Sequence, residues 1–222
     1  MRIVSWNVRS LRDGSWAVAE ALRELAPDLV CLQEAPRLLG WRTSRLRLAR
    51  RAGLRGLTRQ RAGGNLLLGG PQVHRLSGAA LAMPRRPGLH ARAVAVARVR
   101  LDGRELWVAG THLDLEPAAR LDSARRVRAA LADGPVVLGA DVNDLPGSPA
   151  WQALAHGLQD AGAGASFPAR APDRRLDALL VDPALEVLAH QVVATGGASD
   201  HLALCVDLRW REPARGPDPA GL

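Results

Sequence analysis

The stretch from Val136 to Asp144, V-V-L-G-A-D-V-N-D, limits the possible folds of this chain more than any other part. Its β-branched apolar start reads as a buried interior strand, expected to break at Gly139-Ala140. Asp141 and Asn143 follow at once. Side chains alternate along an extended chain, so residues i and i+2 point the same way. A carboxylate and an amide are therefore expected side by side at the strand's C-terminal end. A carboxylate holds a hard cation or polarises a water, and an amide donates to an oxyanion without competing for the metal. Asn-Asp-Leu-Pro-Gly is also good turn chemistry, and taken alone the plain Asx-turn reading is the stronger one.

The rest of the chain supplies strands and helices around that stretch. Residues 2–8 alternate as a first strand ending at Asn7. A helix is expected over Ser15–Leu25, stopped by Pro27-Asp28. Leu29–Gln33 is the next strand and delivers Glu34 at its end. Arg37–Arg61 reads as helix plus loop, Leu66–Leu68 as a short strand. Two strands are expected over 79–83 and 91–99, and Asp102-Gly103 is a hairpin turn before the strand 106–112. Pro117 opens a helix with the stripe Leu121, Ala124, Val127, Ala130 and Leu131. Ser148-Pro149 caps a shorter one carrying Trp151, Leu154 and Leu158. Strands over 176–181, 185–193 and 202–208 complete a single domain over 1–210, with a disordered tail expected over 211–222.

Composition narrows the class. Of 222 residues 47% are hydrophobic, enough for a sizeable core. No signal-like start and no membrane-length apolar run are present, which points to a cytoplasmic protein without a transmembrane segment. Cys31 and Cys205 sit in apolar runs as free core thiols, and no C-x-x-C supports zinc. The net charge is +8 with no lysine, a sign of GC-rich coding bias. Its distribution is uneven: no Asp or Glu occurs between Ala35 and Leu101, while nine arginines crowd 37–61. That asymmetry fits a surface facing a polyanion, or a solvated helical face.

Asn7, Glu34, His112, Asp141, Asn143, Asp177, Asp200 and His201 all punctuate strand ends. This inventory suits metal-assisted phosphoryl hydrolysis: carboxylates for hard cations, amides and a histidine for phosphoryl oxygens, a histidine-carboxylate pair for a proton. In order, V-S-W-N-V, L-V-C-L-Q-E, G-T-H-L-D, G-A-D-V-N, R-R-L-D-A-L-L-V and S-D-H resemble the motifs of the endonuclease/exonuclease/phosphatase superfamily, which has the deoxyribonuclease I-like fold. The likeness runs from about Arg2 to Leu208. It implies a four-layer α/β sandwich, two mostly antiparallel sheets face to face with helices outside and the site at one rim. It further implies Glu34 as principal Mg²⁺ or Mn²⁺ ligand with Asp200 nearby, and Asn7 supporting metal and phosphate. His112 would stabilise a phosphoryl oxygen, and Asp141 and Asn143 would position the attacking water and the phosphate. His201 would be general base or phosphate-stabilising cation, its far ring nitrogen held by Asp177.

Three departures bear on substrate. Ala140 stands where the superfamily usually has glycine, with a possible shift of the turn, and Ala178 where an aromatic is common. The chain has no tyrosine, which disfavours an abasic-site endonuclease. Aromatics total 3%, too few for base-stacking platforms. Asp114 is expected to be a turn or supporting residue, and His74, His90, His156 and His190 ordinary surface or packing residues. The arginine stretch favours a nuclease cleaving nucleic-acid phosphodiesters, with Arg37–Arg61 contacting phosphates. A small-molecule or lipid-headgroup phosphohydrolase is the second reading, and a catalytically silent binding module the third.

Overall fold

The structure, a computed structural model, describes residues 1–131 and 134–212. Most of the expected tail therefore lies outside the described residues; Arg211 still donates to the carbonyls of Ala184 and Pro183. Two six-stranded sheets face each other. The first has β1 (Arg2–Asn7) and β2 (Leu29–Gln33) at its centre. Around them lie β3 (Arg55–Gly56), β4 (Leu66–Gly69), β11 (Leu185–Val193) and β12 (Ala203–Trp210), in the order β11-β12-β1-β2-β4-β3. The second consists of β5 (His74–Ala82), β6 (Ala93–Leu101), β7 (Arg104–His112), β8 (Val136–Asp141), β9 (Gln159–Asp160) and β10 (Asp177–Val181), in the order β5-β6-β7-β8-β10-β9. Among the described residues only β1 with β2 and β7 with β8 are parallel; every other pairing there is antiparallel.

Alternation builds the layers. Ile3, Leu29, Cys31, Val108, Val137 and Leu179 pack together between the sheets. On the outer face of the first sheet, Val4, Trp6, Val30 and Leu32 meet α1 (Ser15–Leu25) and α2 (Trp41–Arg51) through Val18, Leu22 and Leu48. On the outer face of the second, Leu138, Ala140, Ala178 and Leu180 meet α3 (Pro117–Ala130) and α4 (Pro149–Ala155) through Val127, Trp151 and Leu154. The result is helix, sheet, sheet, helix.

The differences from the sequence reading have physical causes. β5 starts at His74 because it is a largely exposed edge strand, with no buried face to imprint a pattern. The two-residue strands β3 and β9 are too short for periodicity. On α3 the buried face is Ala119, Arg120, Ser123, Ala124 and Val127, whereas Leu121 is only half-buried. β8 does not break at Gly139-Ala140 but continues to Asp141, and Ala140 is a buried strand residue facing the helices. Both cysteines are free and buried, and burial pushes the Cys31 thiol up to about 12. Asp102-Gly103 adopts left-handed backbone at both positions, as a tight hairpin turn requires. No helix among the described residues is long and apolar enough to cross a membrane.

One local prediction follows from the end of α1. Ala26, its C-cap, is exposed and held left-handed at φ 46°. An L-residue there is strained by roughly 1–2 kcal/mol, part of which glycine returns as unfolded-state entropy. Ala26→Gly should raise stability by about 0.5–1 kcal/mol in a denaturant titration.

Candidate active site

The alternation that fills the core also delivers the polar groups. Ile3, Ser5 and Asn7 share one face of β1, and Val137, Gly139 and Asp141 share one face of β8. Where the apolar residues stop, both faces end in a polar side chain at the same rim. Register finishes the job, placing His112 beside Asp141 across β7/β8 and Asp177 beside Asp141 across β10/β8. Asn7 then bridges the sheets, its amide donating to Asp141 Oδ2 at 2.8 Å and lying 3.4 Å from Glu34 Oε1. Its own Oδ1 accepts from the Arg9 amide at 3.0 Å. Glu34 leaves β2 through a left-handed residue at φ 50°, and Arg9, Ser10 and Leu11 are left-handed in succession. Such backbone is costly for L-residues and clusters at functional sites.

Asp141 and Asn143 do not lie side by side on a strand face. Asn143 is left-handed at φ 54°, and its backbone N–H donates to Asp141 Oδ1 at 3.1 Å, an Asx turn. The turn swings the Asn143 amide beneath His112, where Nδ2 lies 2.8 Å from His112 Nε2 and 3.0 Å from the Leu113 carbonyl. A carbonyl accepts only, so both bonds run from the amide, Nε2 is an acceptor and the His112 proton sits on Nδ1. That nitrogen faces Glu34 Oε1 at 3.9 Å. Burial lowers the His112 pKa, against the pull of Asp141, which keeps the ring neutral. Turn chemistry and site geometry are thus one feature here.

His201 is held in the opposite state. Its Nδ1 is 2.8 Å from Asp177 Oδ2 and its Nε2 3.9 Å from Asp141 Oδ2. Burial opposes a charge, but the hydrogen bond and charge of Asp177, then Asp141 and Asp200, outweigh it and raise the ring to about 9. Buried Asp177 also accepts from the Ser166 hydroxyl at 2.6 Å, and Phe167 packs against the His201 ring at 4.7 Å between centroids. Asp200 stands apart: its half-exposed carboxylate pairs with Arg9 Nε at 3.2 Å and receives the Ser199 hydroxyl at 3.4 Å.

Asn7, Glu34, His112, Asp141, Asn143 and His201 line one cleft of about 300 Å³. Asp177 sits behind His201, and Asp200 is not among the lining residues. Sequence reasoning missed Ser166 and Phe167, which belong to a loop without periodicity, and Arg92 and His90, which also line the cleft. His90, expected to be an ordinary surface or packing residue, is marked by no motif. Asp114 accepts from buried Arg92 at 3.2 Å, and Arg120 ties down the carbonyls of Asp114, Leu115 and Asn143 while pairing with Asp144.

Comparison with known proteins agrees with this fold. No curated protein sequence matches the chain. Among solved structures, a Bacteroides thetaiotaomicron mannosyl-6-phosphatase superposes with a TM-score of 0.81 at 16% identity, over 95% of this chain and 100% of that one. A functionally unknown protein from Enterococcus faecalis V583 gives 0.80 at 20% identity, over 95% and 100%. D. rerio TDP2 complexed with single-strand DNA product gives 0.76 at 17% identity, over 94% and 98%. Those likenesses carry the fold. Residues 4–201 match the Endonuclease/Exonuclease/phosphatase family, so the chain belongs to that family of phosphoester hydrolases.

Proposed function

We propose that the cleft hydrolyses a small or headgroup phosphoester by divalent-metal-assisted, in-line attack of water. The convergence of Asn7, Glu34, His112, Asp141, Asn143 and His201 on one small cleft carries this reading. Among the described residues no guanidinium pairs with Glu34 or Asp141, and both face the cleft in a protein of net charge +8. Carboxylates that no guanidinium neutralises, held beside the Asn7 amide, suit a hard cation, Mg²⁺ or Mn²⁺. Glu34 and Asn7 would hold it, with Asp200 contributing once released from Arg9. Bound there, the cation would neutralise phosphate charge and polarise the water.

The side chains divide the remaining work. Asp141 accepts a proton from the water that it orients with Asn143. His112, neutral and oriented by Asn143, offers Nδ1–H to a phosphoryl oxygen. His201, charged near neutral pH and steadied by Asp177, faces the same oxygens as a cation and proton donor. The ligand atoms of Asp141, Asp177 and His201 also lie within 4.8 Å of one another. With Nδ1 and Ser166 both bonded to Asp177, that group reads as a proton relay rather than a metal cage.

The nucleic-acid reading leaned on Arg37–Arg61. Of those nine arginines only Arg37 lines the cleft, and among the described residues no Phe or Trp does. Buried Arg45 spends its guanidinium on backbone carbonyls of residues 35, 36, 60, 61 and 65. Cleavage of nucleic acid, the first reading from sequence, becomes the second here, favoured by the net charge and by the neighbour solved with single-strand DNA product. A panel of bis-(p-nitrophenyl) phosphate, p-nitrophenyl phosphate, phosphatidylinositol phosphates, plasmid DNA and single-stranded RNA tests both. Turnover should fall at least about 100-fold in EDTA and return with Mg²⁺ or Mn²⁺. Metal-dependent cleavage confined to the nucleic acids would favour the second reading, and turnover indifferent to EDTA would refute the metal.

A further inference from the structure

Among the described residues, three large apolar side chains at or next in sequence to the cleft lining are strongly exposed. Leu38 is 79% exposed and Leu39 fully exposed, one and two residues beyond the cleft-lining Arg37. From the connection between β7 and α3, Leu115 lines the cleft itself and is 72% exposed. Next to the first pair, α2 turns outward Arg42, Leu46, Arg47, Arg50 and Arg51. That face bears no carboxylate, since the chain has none between Ala35 and Leu101. A second cavity of about 430 Å³ opens beside it, walled by Trp41, Leu46, Leu66 and Leu68 with Arg42 and Arg59 among its lining.

We propose that this face, formed by the Leu38-Leu39 loop, the outer side of α2 and Leu115, docks the enzyme on an anionic phospholipid surface with the cleft mouth toward the headgroups. Charge complementarity selects the occupant. Arginines alone would fit any polyanion, but the sugar-phosphate backbone that they would contact offers no apolar medium for exposed leucines beside them. A bilayer interface satisfies both groups: guanidiniums reach lipid phosphates while leucines enter the acyl boundary and tryptophan lies at headgroup level. The cavity beside Trp41 gives an acyl chain an apolar wall with a cationic rim. This placement deepens the hydrolase reading by making a membrane headgroup its substrate class, and it rests on that reading only for the chemistry, not for the docking.

The test separates the two. Full-length protein is sedimented with vesicles of phosphatidylcholine alone and with 30 mol % phosphatidylserine, and assayed in parallel on soluble bis-(p-nitrophenyl) phosphate. Wild type should bind the anionic vesicles and lose that binding as salt rises. Leu38→Asp/Leu39→Asp should bind at least about ten-fold more weakly, with soluble turnover unchanged. An independent Arg47→Glu/Arg50→Glu variant should lose binding similarly. Wild-type vesicle binding by the leucine variant would overturn the proposal, as would a wild type that ignores vesicles, including one that binds duplex DNA instead. Loss of soluble turnover in Asp141→Ala, with vesicle binding intact, would concern the hydrolase alone.

Discussion

Asp141→Ala should lower kcat by about 10³–10⁴-fold on any substrate the enzyme accepts, without lowering its melting temperature. Asp141 is the junction of the site. It receives the Asn7 amide at 2.8 Å and lies 3.4 Å from His112 Nε2 and 3.9 Å from His201 Nε2. It also anchors the Asx turn that brings Asn143 under His112. Losing it removes a proton acceptor and loosens two neighbours at once, so the effects do not add. Stability should move the other way. Asp141 is 1% exposed, and after burial its charge is among the forces raising the Asp177 pKa, against the bond to His201. Removing one of two crowded buried carboxylates relieves that repulsion, which offsets the lost contacts to Asn7, the Asn143 N–H and the His201 ring. Kinetics on bis-(p-nitrophenyl) phosphate beside thermal melts read both signs. A variant within ten-fold of wild type would remove Asp141 from the reaction, and one that melts well below it would make the residue structural.

How much of this was legible from sequence depended on whether a residue sat in a periodic segment. Asn7, Glu34, His112 and Asp141 end or follow a strand-like run, whereas Asp177 opens one and His201 precedes one, so their shared rim could be inferred from strand order and chain direction. Asn143 was found for a partly mistaken reason: it reaches His112 by a left-handed turn, not by sharing a strand face. Ser166 and Phe167, which hold Asp177 and wall His201, come from a loop where no periodicity announces them. The arginine-rich stretch was legible as charge but not as geometry. Composition cannot show that Arg45 turns inward onto carbonyls while Arg47 and Arg50 turn out. For Asp200, sequence order alone cannot reveal that Arg9 already pairs with its carboxylate.

Glycines in strands were legible only as irregularities, and Gly139 was read as a break. Its role is spatial, and Gly139→Ala should destabilise the protein by at least about 3 kcal/mol, or roughly 6–12 °C in Tm. Gly139 has ordinary extended backbone inside β8. A Cβ there would fall 2.5 Å from Cys31 Cβ and 2.7 Å from Ser5 Oγ. Cys31 Cβ is fixed to the backbone of β2, at the centre of the opposing sheet, so rotating Ser5 Oγ away would not relieve the closer contact. The sheets themselves would have to separate, and Asp141, two residues on, would move with β8. Gly110, its register partner on β7, provides the control. A Cβ there would meet Leu67 Cδ2 at 3.0 Å, the far end of a side chain that can rotate. Gly110→Ala should therefore cost less than about 1.5 kcal/mol. Equal melting shifts for the two variants would mean that inter-sheet contact does not set the cost. A larger shift at Gly139 with a parallel fall in kcat would show that close approach of the sheets is what holds the carboxylate of β8 against the amide of β1.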